Sequence, residues 1–553
     1  MQSPLDPLTF LSQDDVVSSL IDAAGKNQWQ VLYASRGDSY DGVSVHCALM
    51  DDQAAKRAVL SDSWDLMIGS GMPGFSQGWD NGEVVTHYHR FGGESGVRPL
   101  VLRRDFHGAF EDYSELDEEF RLYHNLAHDP NRQLLLDFDP SGREIEVVRL
   151  GSGEVTAQLK YLRQFQAGLG LHLAIFVDSF RYSQASIEAV PEPDRLRQVY
   201  TSERRYCVSI VKCDWRDGYA SFSRLLGKVI LPPPAKEKAG VWPFEAVEPD
   251  PPVEFIIGID REGEELYSIC NPDELNNNFG ANPSAAHYLT PVYFRREVLT
   301  KYYSEPQRYT VDDGVIRCLG LWVCRIDNDA SDFVAVYLGD LGRDLPYDER
   351  LYWRGFNVAP REGMSETNFR RSVLAEFTDA TAPDLVFRRE YVATRQAWQK
   401  AHGWQLFLDP EKGDAHIIDT IRVPVSASQP EFDGQLVALT KLLVDSLNEE
   451  EIKKRAGPFE ADTKGIGKLS KLLERLTCPD RDRNIKFLRD LQKLRSVGAA
   501  RRKGSSYNQA LAPFTTGAAT MPAIIAKMLA HAVEFLRSLQ GLCGNSGSLA
   551  NKA

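Results

Sequence analysis

The sequence predicts an α+β fold, with a strand-rich body in two parts followed by a C-terminal antiparallel four-helix bundle. Three observations carry that expectation. Short β-branched and aromatic runs bounded by Gly, Asp or Ser dominate most of the chain. From Glu431 onward, apolar residues recur instead at helical spacing. The charge also changes sign: residues 431–553 carry 20 Lys and Arg against 13 Asp and Glu, while the rest carries 44 against 65.

The first 25 residues read as a helix, with Phe10, Leu11, Val16, Val17, Leu20 and Ile21 on one stripe and Ser12 or Asp14 as caps. Strands follow over 30–33, 144–148, 171–177 and 206–211, interrupted by a helix over 115–127. Residues 1–230 therefore form an N-terminal α+β domain. The proline-rich stretch 231–241 is a linker, stiff at its start and polar after it. A second strand-rich domain spans 242–427, with strands over 253–260, 265–270, 315–326 and 333–338. The run from Tyr337 to Arg354 reads as a turn into a helix packed by Leu351 and Trp353.

The bundle spans 428–543. Its four helices are marked by Leu436, Leu439, Leu443 and Leu447; by Ile466, Leu469, Leu472, Leu473 and Leu476; by Ile485, Leu488, Leu491 and Leu494; and by Ile524, Ile525, Met528, Leu529, Phe535 and Leu536. Residues 544–553 read as a disordered tail.

Composition bounds the function. The chain has 553 residues, 43% apolar and 26% charged, enough for three or four ordinary globular domains. No run is long and apolar enough to cross a bilayer, and no secretory signal is visible, so a cytoplasmic protein without membrane contact is expected. The eight cysteines show no Cys-x-x-Cys, which argues against a zinc site or a disulfide framework. His124 and His128 stand four apart at the end of the helix expected around 115–127, a spacing that can chelate metal; a hydrogen-bonded helix end is the favoured reading. The glycine-rich run 69–75 lacks the Gly-Lys-Ser/Thr ending of a phosphate loop. No cofactor or metal is called for.

The chemistry concentrates in the third bundle helix. Arg495 is followed, after five residues, by Arg501, Arg502, Lys503 and Gly504, with Tyr507 shortly after. Arg481, Arg483, Lys486, Arg489 and Lys493 precede it on the same helix. Such a spread can line an RNA path or simply face solvent.

This pattern resembles the HEPN superfamily, whose four-helix domains carry an Arg-x(4–6)-His motif at the end of the third long helix. The resemblance covers about 120 residues, and the motif histidine is missing. Aligned on Arg-Lys-Gly, that histidine falls on Arg501; aligned on the shortest spacing, it falls on Ala500. The loss is either natural decay or a deliberate substitution.

The resemblance implies a metal-independent endoribonuclease of a defence, toxin-like or anti-phage system. It implies a homodimer through the bundle, RNA as the partner, and a large body that senses a phage- or stress-derived trigger. Arg495 would stabilise phosphate, and Ala500 or Arg501 would mark the lost base. Ser496, Arg502, Lys503 and Tyr507 would contact RNA. Arginine at 501 stays protonated and cannot take a proton from a 2′-hydroxyl, so the chain as written is expected to be inactive. The alternative is a non-catalytic dimerisation or RNA-binding module, with the body as the recognition surface.

Overall fold

Strict alternation along three long strands builds the first part of the molecule. Asp41–Met50, His172–Ser183 and Ser221–Leu231 pair antiparallel in unbroken register. Side chains of a strand alternate between faces. Val45, Cys47, Leu49, Leu173, Ile175, Val177, Leu225 and Val229 therefore share one face with the N-terminal segment and the Leu159–Leu169 helix. On the other face, Ala48, Met50, Ala174, Phe176 and Ile230 meet Ala54 and Ala55 of the Asp52–Leu60 helix. The Asp51 carboxylate caps that helix by accepting from the Ala54 amide at 2.7 Å.

The computed structural model describes residues 6–61, 64, 73–90, 96–240, 250–330, 332–360, 365, 379–460, 463–500 and 504–544. The chain divides into two units, the first reaching Pro249 and the second running from Asp250 to Ala553 and taking in Pro140–Gly142. The first unit is built on an eleven-stranded sheet in which every pairing is antiparallel among the described residues.

Three expectations change in this unit. The N-terminal helix is broken into Pro7–Leu11, Asp14–Val16 and a π-helical turn over Val17–Asp22. The break is at Gln13, which takes φ 54° and is fully buried, its amide donating to Ser223 Oγ at 2.6 Å. The cap is Asp6 rather than Ser12 or Asp14. The 115–127 helix shrinks to Glu118–Tyr123, between the strands Tyr113–Leu116 and Ala127–Asp129. The helices Asp52–Leu60 and Leu159–Leu169 were not foreseen.

In the expected linker, Leu231 ends a strand and Lys236–Ala239 form one helical turn, while residue 241 lies outside the described residues. Of the glycine-rich run, residues 69–72 lie outside them too, and 73–75 begin the Pro73–Asp80 strand.

The second unit begins strand-rich. Small antiparallel sheets and the helices Leu338–Asp344 and Tyr347–Arg354 enclose a core of Phe255, Phe294, Tyr302 and Trp353. Trp353 is buried as expected, whereas Leu351 is exposed. The fully buried Glu349 accepts from Lys301 Nζ at 2.5 Å and from Tyr302 Oη at 2.7 Å. Trp353 Nε1 in turn donates to Tyr302 Oη at 2.6 Å.

The four expected bundle helices correspond to Gln429–Thr440 extended by a π-helical Lys441–Asp445, Gly465–Arg475, Arg481–Ala500 and Met521–Gly544. Glu449–Ala456 and Ser505–Thr515 are further helices. The helical core also reaches back before 428. The Pro383–His402 helix contributes Phe387, Tyr391 and Trp398 to the same buried cluster as Leu436, Leu488 and Leu536. Residues 545–553 of the expected tail lie outside the described residues.

Tyr302→Phe deletes a hydroxyl that both accepts from Trp353 and donates to Glu349. It should destabilise the second unit by about 1–3 kcal/mol, read as a lowered urea midpoint of that unit's unfolding transition.

Candidate functional site

The Arg481–Ala500 helix is held by Ile485, Leu488, Leu491 and Leu494, all buried in the helical core. This stripe turns Arg489, Lys493 and Ser496 outward, where all three are exposed. Three of the basic residues have acidic partners: Arg481 with Glu474 at 3.0 Å, Lys486 with Asp490 at 3.0 Å, and Arg483 with Glu534. Arg489 and Lys493 have no ion-pair partner among the described residues. At 100° per residue, Arg489, Lys493 and Ser496 lie on one line of the helix, and position 500 continues it.

Arg495 lies off that line. Its side chain is 31% exposed and its Nη1 donates to the carboxylate of Asp445. Asp445 ends the π-helical turn Lys441–Asp445. A π turn holds an extra residue, so it resets which side chains face a neighbouring helix, and such turns recur at functional sites. Arg495 and position 500 are about 140° apart on the helix, so one chain does not bring them together on one face.

Ser496 Oγ donates back to the Gln492 carbonyl at 2.8 Å. Tyr507 is 5% exposed, and its hydroxyl accepts from Gln429 Nε2 at 3.0 Å. Its ring lies against Gly498, where a Cβ would come within 3.3 Å of Cε2. Gly498 does not end the helix. The helix runs through it to Ala500, and the missing side chain makes room for Tyr507. Arg501, Arg502 and Lys503 lie outside the described residues, as does the side chain of Ala500.

Asp445 and Gln429 were not foreseen as partners of the motif. Each stands at least fifty residues from its partner, and no spacing rule links them.

The histidine pair resolves as a helix end. His124 is the C-cap of Glu118–Tyr123, Asn125 takes φ 52°, and His128 falls in the strand Ala127–Asp129. The i, i+4 geometry is therefore gone. His124 Nε2 instead meets the Tyr161 carbonyl oxygen at 3.0 Å, with the rings of Phe120, Tyr123 and Tyr161 around it. Among the described residues, no group of three or more His, Cys, Asp or Glu is placed to hold a metal.

No family model matches the chain, and neither a curated protein nor a solved structure is similar to it at a significant level. Among the described residues, no helix is long and apolar enough to cross a membrane.

Burial pushes the His124 imidazole down to about 4. The folded state therefore resists a proton that the unfolded chain accepts near pH 6.5. The stability this neutral ring contributes is complete above that value and drains away as pH falls toward 4. NMR titration should place the His124 ionisation near pH 4, and His124→Gln should flatten the acid loss of stability across that window.

Proposed function

We propose that the helical part is a HEPN-type RNase frame that binds RNA phosphate, is regulated by the large strand-rich body, and lacks its general base in this chain. The observation that supports it most directly is the outward line of Arg489, Lys493 and Ser496, which runs along the helix toward position 500. A track of unpaired cations attracts the phosphate backbone. At its end lies one of the two positions where the resemblance puts the missing histidine.

The required chemistry divides between two residue types. Cleavage through the 2′-hydroxyl needs a base ionising near neutrality, which is histidine's role. It also needs a cation for the charge that develops on phosphorus-bound oxygens, which suits the planar fork of Arg495. Because Arg495 and position 500 diverge around the helix, a composite site across a two-fold dimer of the bundle is the arrangement that unites them. Asp445 keeps the Arg495 fork oriented, while Tyr507 and Gly498 brace the helix end from inside.

A second reading makes the bundle a non-catalytic dimerisation or RNA-binding module, with the body as the recognition part. It draws on the burial of Tyr507, which is spent inside the bundle rather than offered to RNA.

Two versions of the full chain, Ala500→His and Arg501→His, test the enzyme reading. At least one should cut single-stranded RNA in the presence of a metal chelator, and adding Arg495→Ala should abolish the cleavage. Absence of cleavage by both, with trigger-bearing lysate supplied, leaves only the second reading. Arg489→Gln with Lys493→Gln should weaken RNA binding and lower the salt dependence of log affinity by about 2 units if both residues touch phosphate; an unchanged salt slope means the line does not carry RNA.

A further inference from the structure

The strand-rich part of the second unit contains a cleft of about 860 Å³. Small-ligand sites run to roughly 300–1,000 Å³. One wall is the outward face of the hairpin Val315–Cys318 and Trp322–Arg325, in which Val315 pairs with Arg325 and Arg317 with Val323. Ile316, Cys318, Trp322 and Cys324 point into the core and are buried. Val315, Arg317, Val323 and Arg325 stand on the other face and line the cleft. Arg317 and Arg325 occupy a diagonal of the ladder, where backbones lie about 7–8 Å apart.

Another part of the lining is closely packed. Tyr288 lies flat against Gly339, where any Cβ would run into the ring. Its hydroxyl donates to Asp340 Oδ1 at 2.9 Å, and Arg343 Nη2 meets the same carboxylate at 2.8 Å. Arg343 lines the cleft as well.

We propose that this cleft binds a small phosphorylated anion, with Arg317 and Arg325 holding phosphoryl oxygens. Neither arginine has an ion-pair partner among the described residues. Other arginines of this unit differ: Arg296, Arg308, Arg350, Arg389, Arg395 and Arg422 each face a carboxylate within 4 Å. Two adjacent guanidinium groups on one hairpin face repel each other, and a ligand with two or more negative charges relieves that repulsion where a single carboxylate does not.

Carboxylates also line the cleft, but they are engaged. Asp327 accepts from the amide and hydroxyl of Ser365, and Asp329 from the amides of Thr381 and Ala382. Asp340 is held by Tyr288 and Arg343, and Asp313, in the turn just before the Val315–Cys318 strand, has an interaction of its own. The valines between the arginines offer an apolar floor for the rest of the ligand. The proposal stands apart from the RNase reading, since none of its residues belongs to the bundle.

Inorganic pyrophosphate, titrated calorimetrically into the full chain in magnesium-free buffer, is the probe. Saturable one-to-one binding is expected. Arg317→Gln with Arg325→Gln should weaken it about tenfold or more, as loss of charge-assisted hydrogen bonds implies. Val323→Glu, which sets a carboxylate between the two arginines, should do the same. Lys400→Gln, at an exposed lysine outside both the cleft and the basic helix, should leave it unchanged. Both cleft arginines are exposed, so the double variant should unfold at the parental temperature.

The proposal is overturned if pyrophosphate shows no saturable binding up to a concentration of about 10 mM, weaker than any specific site of this kind, or if the cleft variants bind it as the parent does. It is equally overturned if a short RNA binds at the same arginines in preference to pyrophosphate, which would make the face a nucleic-acid surface.

Discussion

The second unit depends on one carboxylate, Asp329. The Pro383–His402 helix begins after Ala382, a residue with no side chain able to cap it. Helix starts leave amide groups without partners, and proline at the first position removes one of them. Asp329, on the loop after the Trp322–Arg325 strand, supplies the missing acceptor to Thr381 and Ala382, the latter at 2.6 Å. Charge-assisted bonds of this kind are worth about 1.5–3 kcal/mol each. Just inside the helix, the buried Asp384 accepts from the Val423 amide at 3.0 Å and faces Arg296 at 3.7 Å. The strand-rich part and the helical core thus share a polar joint whose donors and acceptors come from both.

The helix fixed by that joint organises the rest of the helical core. Its Tyr391 and Trp398 enter that core, and Glu390 accepts from Arg537 and Gln540 of the final helix at 3.0 and 2.9 Å. Burial alone would raise the Glu390 carboxyl, but the hydrogen bonds from Gln540 and Arg537 hold it below its usual range. The final helix in turn packs on the same core as Leu488, Leu491 and Leu494 of the basic helix. The orientation of Arg489 and Lys493 is therefore inherited through successive buried faces, with no local device of their own.

The parts of the fold legible in the sequence are those marked by periodicity. Strands such as His172–Ser183 bury alternate residues on two different layers, and their β-branched content marks them. Asp52–Leu60 escaped notice because only Ala54 and Ala55 are buried, too small to make an apolar stripe. Pro383–His402 carries its stripe as Phe387, Tyr391, Thr394 and Trp398, diluted by arginines that reach partners elsewhere. Arg495 stood out by residue type and position, but Asp445 did not, since a π turn shifts the phase on which helical reading rests. The favoured helix-end reading of His124 holds, but the helix stops short of the expected 115–127 span because a left-handed Asn125 ends it. Arg317 and Arg325 were legible only as charges, since their shared face depends on how the hairpin is closed.

The Arg495–Asp445 pair shows why a motif residue can be occupied and still available. Both side chains are partly exposed, 31% and 40%. Exposed ion pairs contribute about 0.2–1 kcal/mol, since water screens the attraction and two long side chains must be held still. On the proposed reading, an RNA phosphate, singly charged like the carboxylate but part of a polyanionic backbone, displaces Asp445 at that small cost. A fully buried acid in the same place would bind Arg495 too tightly to release it, because breaking a buried pair strands an unpaired charge. On the proposed reading, the exposure of the pair, more than its existence, is what would let Arg495 bind phosphate while leaving the bundle's stability nearly untouched.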